Sequence, residues 1–186
     1  MKQAFYGLLL WLILALPPAA DFLESVMIIH MHMQMPLIVF SGFLMARFFQ
    51  LRFPRFFERW NRDGIPGILL FVIITVYWMI PRTMDEALNL VGMEVFKFVS
   101  LAFLAGVPLR DSWRKLGSRF KQALLTGYAV LFLGLGLLYI YAPVQLCNNY
   151  LLVEQITLGW GLLTMAVCLA IYLIYAAWAD RSAYKA

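Results

Sequence analysis

Long apolar runs separated by short clusters of arginine and lysine constrain this chain more than any other feature. The runs cover residues 1–20, 22–46, 65–80, 90–109, 123–141 and 151–178. A helix needs about 20 apolar residues to cross a bilayer. Of the 186 residues 63% are hydrophobic and 13% charged, against roughly 45–50% and about 25% in an ordinary globular chain. A soluble core of one domain could not bury that excess. The pattern predicts an all-α, polytopic membrane bundle of about six helices in a single domain. The first run also has the basic start (Lys2), apolar middle and small residues (Pro17-Pro18-Ala19-Ala20 before Asp21) of a secretory signal, so it is read either as a retained span or as a signal sequence.

The basic clusters all fall on one side of such a bundle. They are Lys2, the group Arg47, Arg52, Arg55, Arg59 and Arg62, the group Arg110, Arg114, Lys115, Arg119 and Lys121, and the tail with Asp180, Arg181 and Lys185. The opposite side carries Asp21, Glu24, the Arg82–Glu86 segment and the uncharged 142–150 stretch. Basic loops stay in the cytoplasm. Both termini are therefore expected there, in a multi-pass protein of the bacterial cytoplasmic membrane. The net charge of +5 is accounted for by topology and does not indicate nucleic-acid binding. Aromatic residues Phe48, Phe49, Phe53, Phe56, Phe57 and Trp60 interleave the first arginine group. They fit a segment lying in the interface or an ordinary loop with aromatic anchors. Cys147 and Cys168 form no spaced motif, and no disulfide between them is expected.

Polar residues inside the runs are the functional candidates, because a charge in lipid is costly unless it faces the bundle interior or water. Glu24, His30, His32, Gln34, Glu94, Lys97, Glu154 and Gln155 all fall in the outer half of their runs. Both histidines and four methionines lie in Met27-Ile-Ile-His30-Met31-His32-Met33-Gln34-Met35-Pro36. On a regular helix Met27, His30, Met31 and Gln34 share a face, while His32 lies about 200° from His30. Imidazole with thioether suits copper, mostly Cu(I). Methionine also fills apolar packing, and a membrane histidine also bonds neighbouring helices. Pro36 predicts a kink, since it clashes with the His32 carbonyl. Glu94 and Lys97, three residues apart, suggest an intrahelical ion pair, or else a proton or small-anion site built on a desolvated lysine. Asp85 and Glu154 read as helix-start acids. Gly159 and Gly161 around Trp160 favour close helix packing. No catalytic triad, P-loop or dinucleotide fingerprint is present, so an enzyme is not expected.

Three stretches resemble one family. His30-Met-His32-Met-Gln-Met-Pro36-Leu37, Trp78-Met-Ile-Pro81-Arg-Thr-Met-Asp85-Glu-Ala87-Leu88 and Glu154-Gln155-Ile-Thr-Leu-Gly159-Trp-Gly-Leu-Leu-Thr-Met165 look like segments of the bacterial CtaG-type cytochrome c oxidase assembly proteins, in that family's order. The resemblance implies a helical bundle that handles copper during oxidase maturation. It implies His30 or His32 as the metal-facing residue, with Asp85 and Gln155 in support. The chain departs from the family in the spacing of its histidines and in having none in the run after Asp85. The expected function is thus copper handling or oxidase assembly, through a metal site of His30, His32, Met27 and Met31. The alternatives are a proton, ion or small-anion transporter using Glu94, Lys97 and Glu154, and an accessory subunit of a respiratory oxidase or other membrane complex. In that last case His30 or His32 would serve as an axial ligand of haem.

Overall fold

The computed structural model describes residues 2–183, which form helices and turns without any strand. The helices are α1 (Lys2–Ala15), α2 (Pro17–Glu24), α3 (Met27–Arg52), α4 (Pro54–Trp60), α5 (Ile65–Trp78), α6 (Pro81–Asn89), α7 (Val91–Trp113), α8 (Ser118–Tyr141) and α9 (Leu152–Ala183). Helices α3, α7, α8 and α9 are each long and apolar enough to cross a membrane. The bent pairs α1–α2 and α5–α6 raise the number of crossings to as many as six. The chain is an all-α, multi-pass membrane protein. The tail charges Asp180, Arg181 and Lys185 lie outside the residues whose side chains are described.

Proline opens four of these helices. Helices α2, α4, α5 and α6 each carry proline in the first or second position, where its missing N–H costs nothing. The residue before an opening proline is pushed out of the helical region: Leu16 sits at φ −66°, ψ 130° and Ile80 at φ −74°, ψ 126°. The chain therefore bends by 71° between α1 and α2 and by 74° between α5 and α6. Two expectations change as a result. The second run, read as 22–46, is helical from Met27 to Arg52, because Val26 is extended and Phe22–Glu24 belongs to α2. The polar connection after Pro81 is itself a helix, α6, which buries Thr83, Met84, Asp85 and Ala87.

The chain divides into two compact units, Met1–Leu116 with Leu146–Tyr150, and Gly117–Gln145 with Leu151–Ala186. In the first, α3 crosses α7 at backbone contact. A Cβ on Gly42 would lie 1.8 Å from the Ala102 carbonyl oxygen, and one on Gly106 2.2 Å from that of Val39. Membrane helices have no hydrophobic drive toward one another, so close packing of small residues is what joins them. Helix α1 lies along α3, and the Trp11 indole donates to the Phe98 carbonyl of α7 at 3.0 Å. The second unit is the hairpin of α8 and α9. Its helices touch where a Cβ on Gly159 would lie 2.9 Å from the Gly136 oxygen, the close packing expected of that glycine.

Both α3 and α7 contain a π-helical stretch, His30–Gln34 and Ser100–Gly106. The i→i+5 bonds run from Met35 N–H to the His30 carbonyl and from Val107 N–H to the Ala102 carbonyl. Each stretch ends two residues before a proline, Pro36 or Pro108. A regular helix would drive those rings against the carbonyls four residues back; widening the preceding turn relieves the clash. The His/Met run is therefore not the regular helix its spacing suggested. Such π-bulges recur at functional sites.

Candidate functional site

Lys97 lies on α7 just before its π stretch. Its side chain is completely buried, and Nζ sits 2.5 Å from Glu24 Oε1. Glu24 ends α2 and is 10% exposed at its side chain. Gln34, from the π stretch of α3, donates Nε2–H to the same oxygen at 2.8 Å. This corrects the expected Glu94–Lys97 pair. Glu94 is only half-buried on its own turn, while the bend at Pro17 and the break at Val26 bring Glu24 to the buried amine. Below the pair, the buried Trp78 indole donates to Ser100 Oγ at 2.8 Å, and Ser100 Oγ donates to the Lys97 carbonyl at 3.4 Å. That chain of bonds fixes α5 to α7.

His30 is fully buried on the same face of α3 as Met27 and Gln34. Its Nδ1 is 2.8 Å from Tyr150 Oη, and Tyr150 Oη donates to the Glu24 carbonyl oxygen at 2.8 Å. A phenol has one proton to give. With it committed to Glu24, Nδ1–H must be the donor to Tyr150. In a neutral ring Nε2 is then a bare lone pair, and among the described residues it has no hydrogen-bond partner; neither has Gln34 Oε1. Both Lys97 and His30 thus converge on Glu24, one at its carboxylate and the other at its backbone through Tyr150.

Tyr150 reaches this position because Asp85 holds the turn before it. The Asp85 carboxylate accepts the backbone N–H of Asn148 at 2.7 Å, that of Asn149 at 3.4 Å and Asn149 Nδ2–H at 3.1 Å. Asp85 is therefore not a helix-start acid: it lies inside α6 and anchors another loop. Glu154 does follow the helix-start expectation, accepting the Leu151 N–H at 2.9 Å. Gln155 donates to the Tyr139 carbonyl at 3.1 Å, within the α8–α9 hairpin. Met31 and His32 are half-buried. Neither Cys147, which is buried, nor Cys168, which is exposed, is in a disulfide.

Among the described residues no three or more His, Cys, Asp or Glu side chains come together to hold a metal ion. The Glu24 carboxylate is engaged by an ammonium and an amide.

A second polar network was not singled out from the sequence, where its members read as topology charges and loop residues. Asp111 of α7 accepts from Asn61 Nδ2 at 2.6 Å, Gln50 Nε2 at 2.9 Å and Lys115 Nζ at 2.7 Å. Asn61 Oδ1 accepts the Gly67 N–H at 2.9 Å, and the Asn61 carbonyl accepts from Lys115 Nζ at 2.7 Å. It joins the end of α3, the start of α5 and the end of α7. The four-residue spacing of Asp111 and Lys115 was its only sequence trace.

No protein family, curated protein or solved structure matches this chain.

Proposed function

We propose that this membrane protein carries protons, alone or coupled to a small ion, through the cluster of Glu24, Lys97 and His30. The observation that supports it is the wholly buried Lys97 ammonium paired with Glu24 inside the bundle. Intramembrane ionisable residues are costly, and pairs of them are the usual parts of proton relays. Transfer of one proton from Lys97 to Glu24 turns two buried charges into two neutral groups without moving either helix. The bare Nε2 of His30 offers a further proton acceptor close by. The positive-inside pattern supports a position for the cluster on the outer side of a bacterial cytoplasmic membrane. The test uses the purified protein in liposomes loaded with a pH-sensitive dye, under an imposed potential. Wild-type vesicles acidify faster than empty ones. The double variant Glu24→Gln/Lys97→Met, which removes both buried charges, falls to background. Acidification equal to that of empty vesicles would end this reading.

One observation favours a second reading, copper as cargo in oxidase assembly. His30 Nε2 is buried without a partner on a face it shares with the fully buried Met27, and imidazole with thioether is a cuprous donor set. In that case, metal analysis after Cu(I) loading should find about one copper per chain, lost in His30→Ala. Equal retention by both proteins would exclude it.

A further inference from the structure

At the end of the first unit opposite to Lys97, helix α4 presents three distinct faces. Phe57 points inward and packs with Ala46 and Val107. Phe56 and Trp60, one turn apart, are exposed and stacked, with ring centroids 5.9 Å apart and planes at 14°. Arg55, Arg59 and Glu58 form the third face. Together with Arg62 and Lys115 they line an open groove of about 560 Å³.

The groove holds a surplus of positive charge. Lys115 is neutralised by Asp111 at 2.7 Å. Among the described residues, Arg55, Arg59 and Arg62 have no carboxylate within ion-pair distance, and neither does Glu58 have a cation. Three exposed guanidiniums without counter-charge are held together because the Asn61–Asp111–Lys115 network ties this segment to the ends of α3, α5 and α7. Guanidinium forks match phosphate oxygens bidentately. Stacked aromatics beside basic residues are the pattern of a helix resting at the headgroup level of a bilayer.

We propose that this groove binds the headgroup of an anionic phospholipid. The phosphate pairs with Arg55, Arg59 and Arg62, and the acyl chains descend beside Phe56 and Trp60. Glu58 repels a second anionic group but accepts a hydrogen bond from a headgroup hydroxyl, which selects a glycerol-type headgroup. The aromatic face is what distinguishes a lipid from a free phosphate: a soluble anion would leave Phe56 and Trp60 without a function. The site is independent of the proton cluster and stands or falls apart from it.

The test is native mass spectrometry of the full chain in detergent, titrated with dioleoyl phosphatidylglycerol, with dioleoyl phosphatidylethanolamine, or with phosphatidylglycerol in the presence of inorganic phosphate. The expected result is retention of one phosphatidylglycerol. Arg55→Gln/Arg59→Gln should weaken it by about tenfold or more, while Arg82→Gln, an exposed arginine outside the groove, leaves it unchanged. Equal retention of phosphatidylethanolamine, or equal loss in Arg82→Gln, would overturn the proposal. Displacement of the lipid by millimolar inorganic phosphate would overturn it in favour of a free-anion site.

Discussion

At the scale of single residues, the Glu24–Lys97 pair decides most. Bringing two charges out of water costs as much as their attraction returns, so such a pair adds little net stability. Removing one partner is different, because the other is left buried and unpaired. Lys97→Met should therefore destabilise the protein by about 3–5 kcal/mol, and Lys97→Met/Glu24→Gln should recover most of the loss. Denaturation midpoints of the three proteins in the same detergent check this; a double variant no better than the single one would mean that Glu24 is not the partner that matters. The same double variant separates structure from transport, since it should fold yet move no protons. The two charges were visible in the sequence as exceptions in apolar runs, and the shared face of Met27, His30 and Gln34 followed from their spacing. Their partners were not visible. Glu24 arrives through a bend at Pro17 and a break at Val26. Tyr150 lies 120 residues from His30, on a turn whose sequence carries no periodicity and whose position depends on Asp85.

At the scale of elements, proline and glycine explain where the helices bend and where they meet. The apolar runs predicted α5, α7, α8 and α9 to within a few residues at most ends, because length and hydropathy are local properties. They missed α2, α4 and α6, short helices opened by proline whose burial depends on tertiary neighbours. They also could not show the two π stretches, since an i→i+5 bond depends on how a proline two residues on is accommodated. The crossing of α3 and α7 yields a sharp expectation. A methyl group on Gly42 would stand 1.8 Å from the Ala102 carbonyl, backbone that cannot turn aside. Gly42→Ala should cost about 3 kcal/mol, the upper end of ordinary overpacking. Gly92→Ala, where nothing lies within 4 Å, should be neutral or stabilise by up to about 1 kcal/mol. Thermal unfolding of both variants against wild type reads the difference. Similar midpoints would show that the two helices do not cross there.

At the scale of the whole molecule, the open question is whether α5 crosses the membrane. Helix α3 has 26 residues, about 39 Å at 1.5 Å per residue, which exceeds the roughly 30 Å hydrocarbon layer. Helix α5 has 14, about 21 Å. With α6 turned 74° away, α5 is either a short span or one arm of a re-entrant loop. Its two ends favour a span. Gly67 near its start is bonded to Asn61 beside the end of α7, whereas Trp78 at its finish bonds Ser100 near the Lys97 cluster. The missing length is made up by polar structure on either side, the Asn61–Asp111 network and the turn held by Asp85, both of which tolerate water. The consequence is opposite sidedness for Arg59 on α4 and Arg82 on α6, both exposed. In a background with Cys147→Ser and Cys168→Ser, Arg82→Cys should react with a membrane-impermeant maleimide in right-side-out vesicles. Arg59→Cys should react only after the vesicles are inverted. Labelling of both from the same face would make α5–α6 a re-entrant loop and reverse the orientation of every helix after it.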